Sequence, residues 1–352
     1  MYKVLFFRKN KTLTDETIIE KSLSGVGFSR EELAFLLLEA DPEWIYYIAN
    51  EIRKSVKGNI VYLRAIIEFS NYCRNNCLYC GIRRDNKNLK RYRMNEEEIL
   101  SASEKLINQG FKTIVLQSGE DPFWDAKKLS NVVKELKKFD IAVTLSVGEL
   151  DYEDYKVLKE AGADRFLLKH ETIDGKLFSW LKPDTSLRKR LQCLYWLKEL
   201  GYEVGAGCIV GLPGQRIETL VEDLLFLQEF KPSMVGHGPF ISHPQTPLAP
   251  FPHGSPYLTL KLVALTRIIL PEANIPATTA LNVLAPDLKF KAFSAGANVL
   301  MPDLTPAKYK LHYEIYPGKG KYQVDLENYF KFFKKMNLRT DLRLENFANL
   351  SN

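Results

Sequence analysis

Three of the five cysteines in this 352-residue chain fall within eight positions, as Cys73-x3-Cys77-x2-Cys80 in NYCRNNCLYC. Thiolates are soft ligands that select zinc, Cu(I) or iron–sulfur clusters. A structural zinc site is closed by four ligands, usually in paired short spacings. Here the nearest histidine is His170, and the other cysteines are Cys193 and Cys208. A distant fourth ligand keeps zinc open as an alternative. Three cysteines on one loop can instead hold three irons of a [4Fe-4S] cluster, leaving the fourth iron open as a catalytic metal keeps an open position. A basic run follows at once: Arg83, Arg84, Lys87, Lys90, Arg91 and Arg93 against a lone Asp85. Its plainest meaning is a solvated loop. Offsetting the charge of a thiolate-bound cluster, or docking a partner or reductant, are the functional uses.

The elements that must position this loop are legible from residue 60 onward. Apolar, β-branched runs at 61–70, 113–119, 141–148, 165–171, 204–211, 233–240, 275–280 and 297–302 alternate with helical patterns such as NEEEILSASEKLINQG and AKKLSNVVKELKKF. Eight strand-then-helix units predict a parallel sheet closed into an α/β (β/α)8 TIM barrel. Chemistry in such barrels gathers at the C-terminal strand ends. That rule sets the cysteines on one rim with Ser118-Gly119-Glu120, Ser146, His170-Glu171, His237 and Thr278-Thr279. Residues 13–57 form helices, with Ser29 and Glu32 as a capping box; the first ten residues suit strand or helix. The expected division is an N-terminal helical extension over 1–59, the barrel over 60–320, and a short C-terminal helical extension over 321–352.

Hydrophobic content of 45% and charged content of 26% are ordinary for a soluble globular chain with a sizeable core. The net charge of +6 comes largely from the one basic run, with no basic stripe interleaved with aromatics elsewhere, which argues against nucleic acid. No apolar run reaches membrane-spanning length, and the N-terminus shows no signal-peptide pattern. Five cysteines, three clustered, are no secreted disulfide framework and point to a reducing cytoplasm.

CRNNCLYC resembles the CxxxCxΦC signature of the radical S-adenosylmethionine superfamily, with Tyr79 as the aromatic before the last cysteine. Ser118-Gly119-Glu120 resembles the motif that binds the methionine amino group there. Gly207-Cys208-Ile209-Val210-Gly211 resembles the fifth-strand GxIxG motif that packs against adenine, where glycines admit a flat ring. Within the superfamily, IIEFSNYCRNNCLYCGIRRDNKNLKRYRM, TIVLQSGEDP, HETIDGKL, LKPDTS, VGLPGQ, NIPATTA, GANVLMP and YPGK resemble the HydE family of [FeFe]-hydrogenase maturases, from about Ile60 to Lys319.

That resemblance implies a [4Fe-4S] cluster on Cys73, Cys77 and Cys80, and S-adenosylmethionine as second cofactor. It implies contacts to the latter from Tyr79, Gln117, Ser118, Gly119, Glu120, Ser146, Glu171, Arg190, Ile209, Met234 and Tyr313. Thr144, Lys169, Thr278 and Thr279 fall at the substrate end. The implied reaction is reductive cleavage of S-adenosylmethionine to a 5′-deoxyadenosyl radical that acts on a cysteine-bound Fe(CO)2(CN) precursor. The implied partners are an electron donor such as ferredoxin or flavodoxin, and the other hydrogenase maturases.

Lys169 departs from the family, which carries Arg there. No cysteine follows Cys208, so a single cluster is expected, with Cys193 and Cys208 as buried apolar side chains. Biotin synthase, a relative, needs three further cysteines that this chain lacks. Methylornithine synthase, a radical mutase acting on lysine, is the alternative within the superfamily. A zinc-stabilised nucleic-acid-binding protein is the alternative outside it.

Overall fold

The run expected as one strand over 61–70 is staggered between two sets of neighbours in the computed structural model, which describes residues 13–342. Its first part is β1 (Ile60–Leu63) and its second β2 (Ala65–Ser70). Arg64 lies between them and keeps the ladder going, its N–H donating to Leu300 O at 3.0 Å. Its buried guanidinium reaches Met234 Sδ at 3.0 Å. Burial lowers its pKa to about 10.

The remaining strands are β3 (Thr113–Ser118), β4 (Ala142–Ser146), β5 (Arg165–Leu167), β6 (Glu203–Ala206), β7 (Ile209–Val210), β8 (Met234–Val235), β9 (Gly238–Pro239), β10 (Pro276–Ala277), β11 (Val299–Leu300) and β12 (Arg339–Thr340). Every ladder is parallel. One sheet runs β2-β3-β4-β5-β6-β8 and another β10-β11-β1-β12. Single bridges, Met234 to Asn274 and Ile66 to Asp303, join the two and close the barrel. Each of the eight expected runs supplies one stave. The fifth and sixth continue past the rim as the pair β7–β9.

Burial on both faces explains the sequence of the staves: all six residues of AIIEFS in β2 are buried. The outer helices carry the complementary pattern. In Ala126–Leu136, capped by Asp125, the residues Leu129, Val132, Val133 and Leu136 turn to the sheet at helical spacing. The expected N-terminal helices are Asp15–Leu23, Arg30–Leu38 and Pro42–Lys57, with the Ser29/Glu32 capping box formed in both directions. Pro42–Lys57 packs on the helix Pro256–Ile269. The latter is buried at every position from Thr259 to Ile269, covered on one side by the barrel and on the other by the N-terminal helices.

The tail was expected to give a helix, and Leu326–Lys335 is one. It also gives β12, which pairs with β1 at Ile60 and Val61, below the barrel. Two residues of Arg-Thr carry no period that a sequence can show. The first ten residues, and the polar end beyond 342, lie outside the described residues. No helix among those described is long and apolar enough to cross a membrane.

Candidate active site

The basic run is only in part a solvated face: Arg84, Lys87, Lys90 and Arg93 are exposed, while Arg91 turns inward. It is the internal clamp of the cysteine loop. Arg91 donates from Nη1 to the carbonyls of Asn71 and Ile82, at 2.5 and 2.8 Å, and from Nη2 to those of Arg83 and Asn86, at 2.6 and 3.3 Å. One planar guanidinium thereby gathers both ends of the loop, a geometry Lys lacks. Arg93 grips buried Asp121 with two bonds, 2.6 and 2.9 Å, and its guanidinium lies 3.7 Å from the Tyr72 ring centroid. Asp121 also accepts from Ser70 Oγ at 2.6 Å, tying the clamp to the end of β2. Arg84 Nη1 donates to Arg74 O at 2.8 Å. Lys87 and Lys90 remain exposed.

This loop roofs a cavity of about 400 Å3 at the C-terminal ends of the strands. Cys73, Cys77, Cys80, Tyr79, Gln117, Ser118, Gly119, Glu120, Ser146, Lys169, Glu171, Arg190, Ile209, Met234, Thr278, Thr279 and Tyr313 all line it. Thr144 does not. It lies one inward position below Ser146 on β4, fully buried, and its Oγ1 has no hydrogen-bond partner.

All three cysteines are free thiols. Burial raises the pKa of Cys80 far above the ordinary thiol range, and Cys77 and Cys73 beside it add to the rise. Burial raises that of Cys73 as well. Buried thiols such as Cys73 and Cys80 shed their protons more readily to a cation placed among them. That donor set fits an iron–sulfur cluster.

Opposite the cysteines, Glu171 holds a left-handed backbone, φ 66°, between Gly207 O, which accepts its N–H at 3.1 Å, and Ile209 N, which donates to its carbonyl at 2.9 Å. A non-glycine residue there stores strain that the flanking strands must hold. Its buried Oε2 has no hydrogen-bond partner, and the nearest cation, Lys169 Nζ, is 3.5 Å away. An orphaned carboxylate aimed into a cavity fits the hydroxyls of a bound nucleoside. Arg190 is oriented by Glu149, Nε to Oε1 at 2.6 Å, and by the Lys169 carbonyl at 2.5 Å. Burial works against the Arg190 charge, but Glu149 and Glu171 outweigh it and hold the pKa above normal. Glu149 stays below the usual carboxylate range despite its burial, through Arg190 and through Thr185, whose hydroxyl donates at 2.6 Å.

The glycines of the fifth-strand motif have a reason within the protein itself. At Gly207, φ 144°, an added Cβ would strike the Gly236 carbonyl, and at Gly211, φ 82°, the Cα of Gly254. Neighbouring backbone demands them. Ile209 between them faces the cavity. Gly119 is fixed in the same way by the Tyr72 carbonyl and the Cys73 Cβ.

Behind Glu171, the ligand-type atoms of His170, Cys208 and Asp223 converge within 4.8 Å, all buried. His170 Nδ1 accepts the Gly207 N–H at 3.3 Å, and its Nε2 lies 3.2 Å from Asp223 Oδ1. His237 Nδ1 lies 3.1 Å from the Cys208 sulfur, and its Nε2 2.8 Å from Thr266 Oγ1. Burial holds His237 near pKa 3. Through His170 to Gly207 N and Asp223 Oδ1 to Ile173 N, at 2.7 Å, this layer supports the backbone on either side of Glu171. Cys193 and Cys208 are buried, as expected.

Sequence reasoning missed Lys182, whose Nζ is 3.1 Å from Cys77 Sγ, and the Glu149 that orients Arg190. It also missed a second charged layer, where Lys319 Nζ contacts Glu68 Oε1 at 2.6 Å and Asp303 Oδ2 at 2.8 Å. One signal was available: Glu68 is the sole charge inside the apolar run of β2.

The chain matches the family model for the radical SAM superfamily over residues 67–227. It is 55% identical over 310 residues to the [FeFe] hydrogenase maturase subunit HydE of Thermotoga maritima, covering 87% of this chain and 89% of that protein. To 3-methylornithine synthase of Methanosarcina acetivorans it is 32% identical over 314 residues, 88% of this chain and 87% of the other. A crystal structure of methylornithine synthase superposes with TM-score 0.82 at 28% identity, over 94% of this chain and 98% of that one. The superfamily implies a [4Fe-4S] cluster and S-adenosylmethionine, which the crowded thiols and the orphaned Glu171 carboxylate suit. The chain therefore belongs to the radical SAM superfamily, is a radical SAM enzyme, and falls in its HydE family.

Proposed function

We propose that this enzyme acts in [FeFe]-hydrogenase maturation on a small organometallic substrate, a cysteine-bound Fe(CO)2(CN) unit. One observation carries the reading: the three cysteines and Glu171, whose Oε2 pairs with Lys169 at 3.5 Å but makes no hydrogen bond, line a single cavity. Cys73, Cys77 and Cys80 would hold one cluster, since no cysteine follows Cys208. When bound, that cluster supplies the electron that cleaves the sulfonium carbon–sulfur bond, giving methionine and a 5′-deoxyadenosyl radical. Arg190, pinned by Glu149, pairs with the methionine carboxylate in a fork that needs no reorganisation. Ser118 and Glu120 accept from the amino group, Glu171 from ribose hydroxyls, and Ile209 and Met234 offer apolar walls. Lys169, Thr278 and Thr279 face the substrate end.

The working division is a helical N-terminal extension over 1–59, the barrel over 60–320, and a C-terminal extension over 321–352. A low-potential donor such as ferredoxin or flavodoxin would reduce the cluster, in the cytoplasm, with the other hydrogenase maturases as partners. The likeness to methylornithine synthase supports a second reading, a radical mutase acting on lysine.

The test is product analysis of the anaerobically reconstituted, reduced protein with S-adenosylmethionine and either the iron complex or lysine. Stimulation of 5′-deoxyadenosine or adenosylated products by the iron complex upholds the maturase reading. Turnover with lysine alone replaces it with the mutase. Alanine at any one of Cys73, Cys77 or Cys80 should abolish cleavage, and cleavage at the wild-type rate in such a variant would sink the cluster assignment.

A further inference from the structure

Lys182 caps the helix Gly175–Leu181 in an extended conformation, φ −130° and ψ 75°, because Pro183 bars the helical region to the residue before it. That turn sends its side chain inward, where it is buried and lines the cavity. Its Nζ stops 3.1 Å from Cys77 Sγ. The approach is built into the backbone. Leu78 N, next to Cys77, donates to Leu181 O, next to Lys182, at 2.9 Å. The helix end and the cysteine loop are thus pinned together at the two neighbouring residues. Among the described residues, no carboxylate forms an ion pair with this ammonium. A buried ammonium needs negative partners: Glu171 and Glu149 attract it from farther off, and the Cys77 sulfur is the atom its Nζ touches.

We propose that Lys182 is a positioning residue for the cluster, donating a charge-assisted N–H···S hydrogen bond to Cys77 and setting the cluster's reduction potential. The inference rests on the reading that Cys73, Cys77 and Cys80 hold a [4Fe-4S] cluster. Reduction adds negative charge to a centre already surrounded by thiolates. A fixed cation against one ligand stabilises the reduced form, and hydrogen bonds to cluster sulfurs tune potential in the same direction. Lys182 thereby brings a very low-potential centre within reach of a biological donor, before S-adenosylmethionine binds.

The experiment is an anaerobic potentiometric titration of the reconstituted full chain without S-adenosylmethionine, followed by EPR, in wild type, Lys182→Met and Lys182→Gln. Lys182→Met is expected to shift the reduction equilibrium at least tenfold toward the oxidised form, about 59 mV more negative for one electron. Lys182→Gln, which keeps a donor without charge, should fall between. Iron per chain and circular dichroism should stay unchanged, which a merely structural role would not predict alongside a moved potential. A second measurement needs no variant: wild type grown with 15N-lysine should show a 15N hyperfine coupling to the reduced cluster in pulsed EPR. An unchanged midpoint in Lys182→Met overturns the proposal. So does weakened S-adenosylmethionine affinity with the midpoint unmoved, which would reassign Lys182 to the methionine carboxylate. If Lys182→Met cannot hold a cluster, the 15N coupling decides, and its absence overturns the proposal. A wild-type protein that binds no cluster refutes the cluster reading itself, a distinguishable failure.

Discussion

Glu68 gives the most quantitative prediction. Lys319 is one ammonium set between two buried carboxylates, 2.6 Å from Glu68 and 2.8 Å from Asp303. Two ionised acids in one low-dielectric layer repel each other, and Lys310 Nζ, 3.9 Å from Asp303, tips the charge toward Asp303, so Glu68 is the acid that keeps its proton. Asp303 takes the charge: burial opposes it, but Lys319 and Lys310 prevail and its pKa falls below normal. Glu68 keeps the proton, because burial outweighs the help from Lys319 and raises its pKa from the ordinary 4.5 to about 8. Between those two values the unfolded chain has lost this proton and the folded chain has kept it. The stability contributed is therefore full below about pH 4.5 and is lost as pH rises through about 8.

From pH 7 to pH 9 the linkage relation gives a loss of about 1.4 kcal/mol from this group alone. Glu68→Gln keeps the shape and removes the titration. Urea unfolding of both proteins, by circular dichroism at pH 7, 8 and 9, should show their stability difference changing by about that amount, against the wild type as pH rises. His237, held near 3 by burial, works in the opposite sense but below about pH 6.5, outside this window. Thiols that titrate near pH 9 are common to both proteins and cancel. Parallel pH profiles would refute the neutral-carboxyl assignment.

Arg93→Met removes both bonds to buried Asp121 and the cation over Tyr72. It should cost about 2 kcal/mol, below the ~3–5 of a wholly buried pair because the guanidinium is part-exposed, and should lower iron retained per chain. Glu149→Gln unpins Arg190, and calorimetry should find S-adenosylmethionine bound at least about tenfold more weakly, or ~1.4 kcal/mol; undiminished affinity would show that Arg190 needs no orienting partner. Thr144→Val replaces a buried, unpartnered hydroxyl with a methyl group and should leave turnover unchanged while shifting stability by less than about 1 kcal/mol. A large loss of turnover would return Thr144 to the substrate contacts. Gly207→Ala, at φ 144° against the Gly236 carbonyl, should lower stability by more than about 1 kcal/mol, read as a reduced urea midpoint.

Cys73, Cys77 and Cys80 were legible because soft donors at short spacing have few other uses. The barrel was legible because both periods, strand and helix, alternate eight times. Long-range partnerships were not. Lys182 meets Cys77, and Lys319 meets Glu68, across stretches of chain whose closure no local pattern records. The arginines near 91 looked like a solvated run because composition cannot show that their targets are carbonyls of their own loop. At Gly207 and Gly211 the need for glycine was legible and the backbone contacts behind it were not, since a glycine shows only that something comes close.

The Arg91 clamp has a bearing on how such an enzyme ages. Four carbonyls gathered on one guanidinium tie the ends of the cysteine loop together through protein bonds. A socket held in that way would let a damaged cluster leave and a fresh one be installed without refolding.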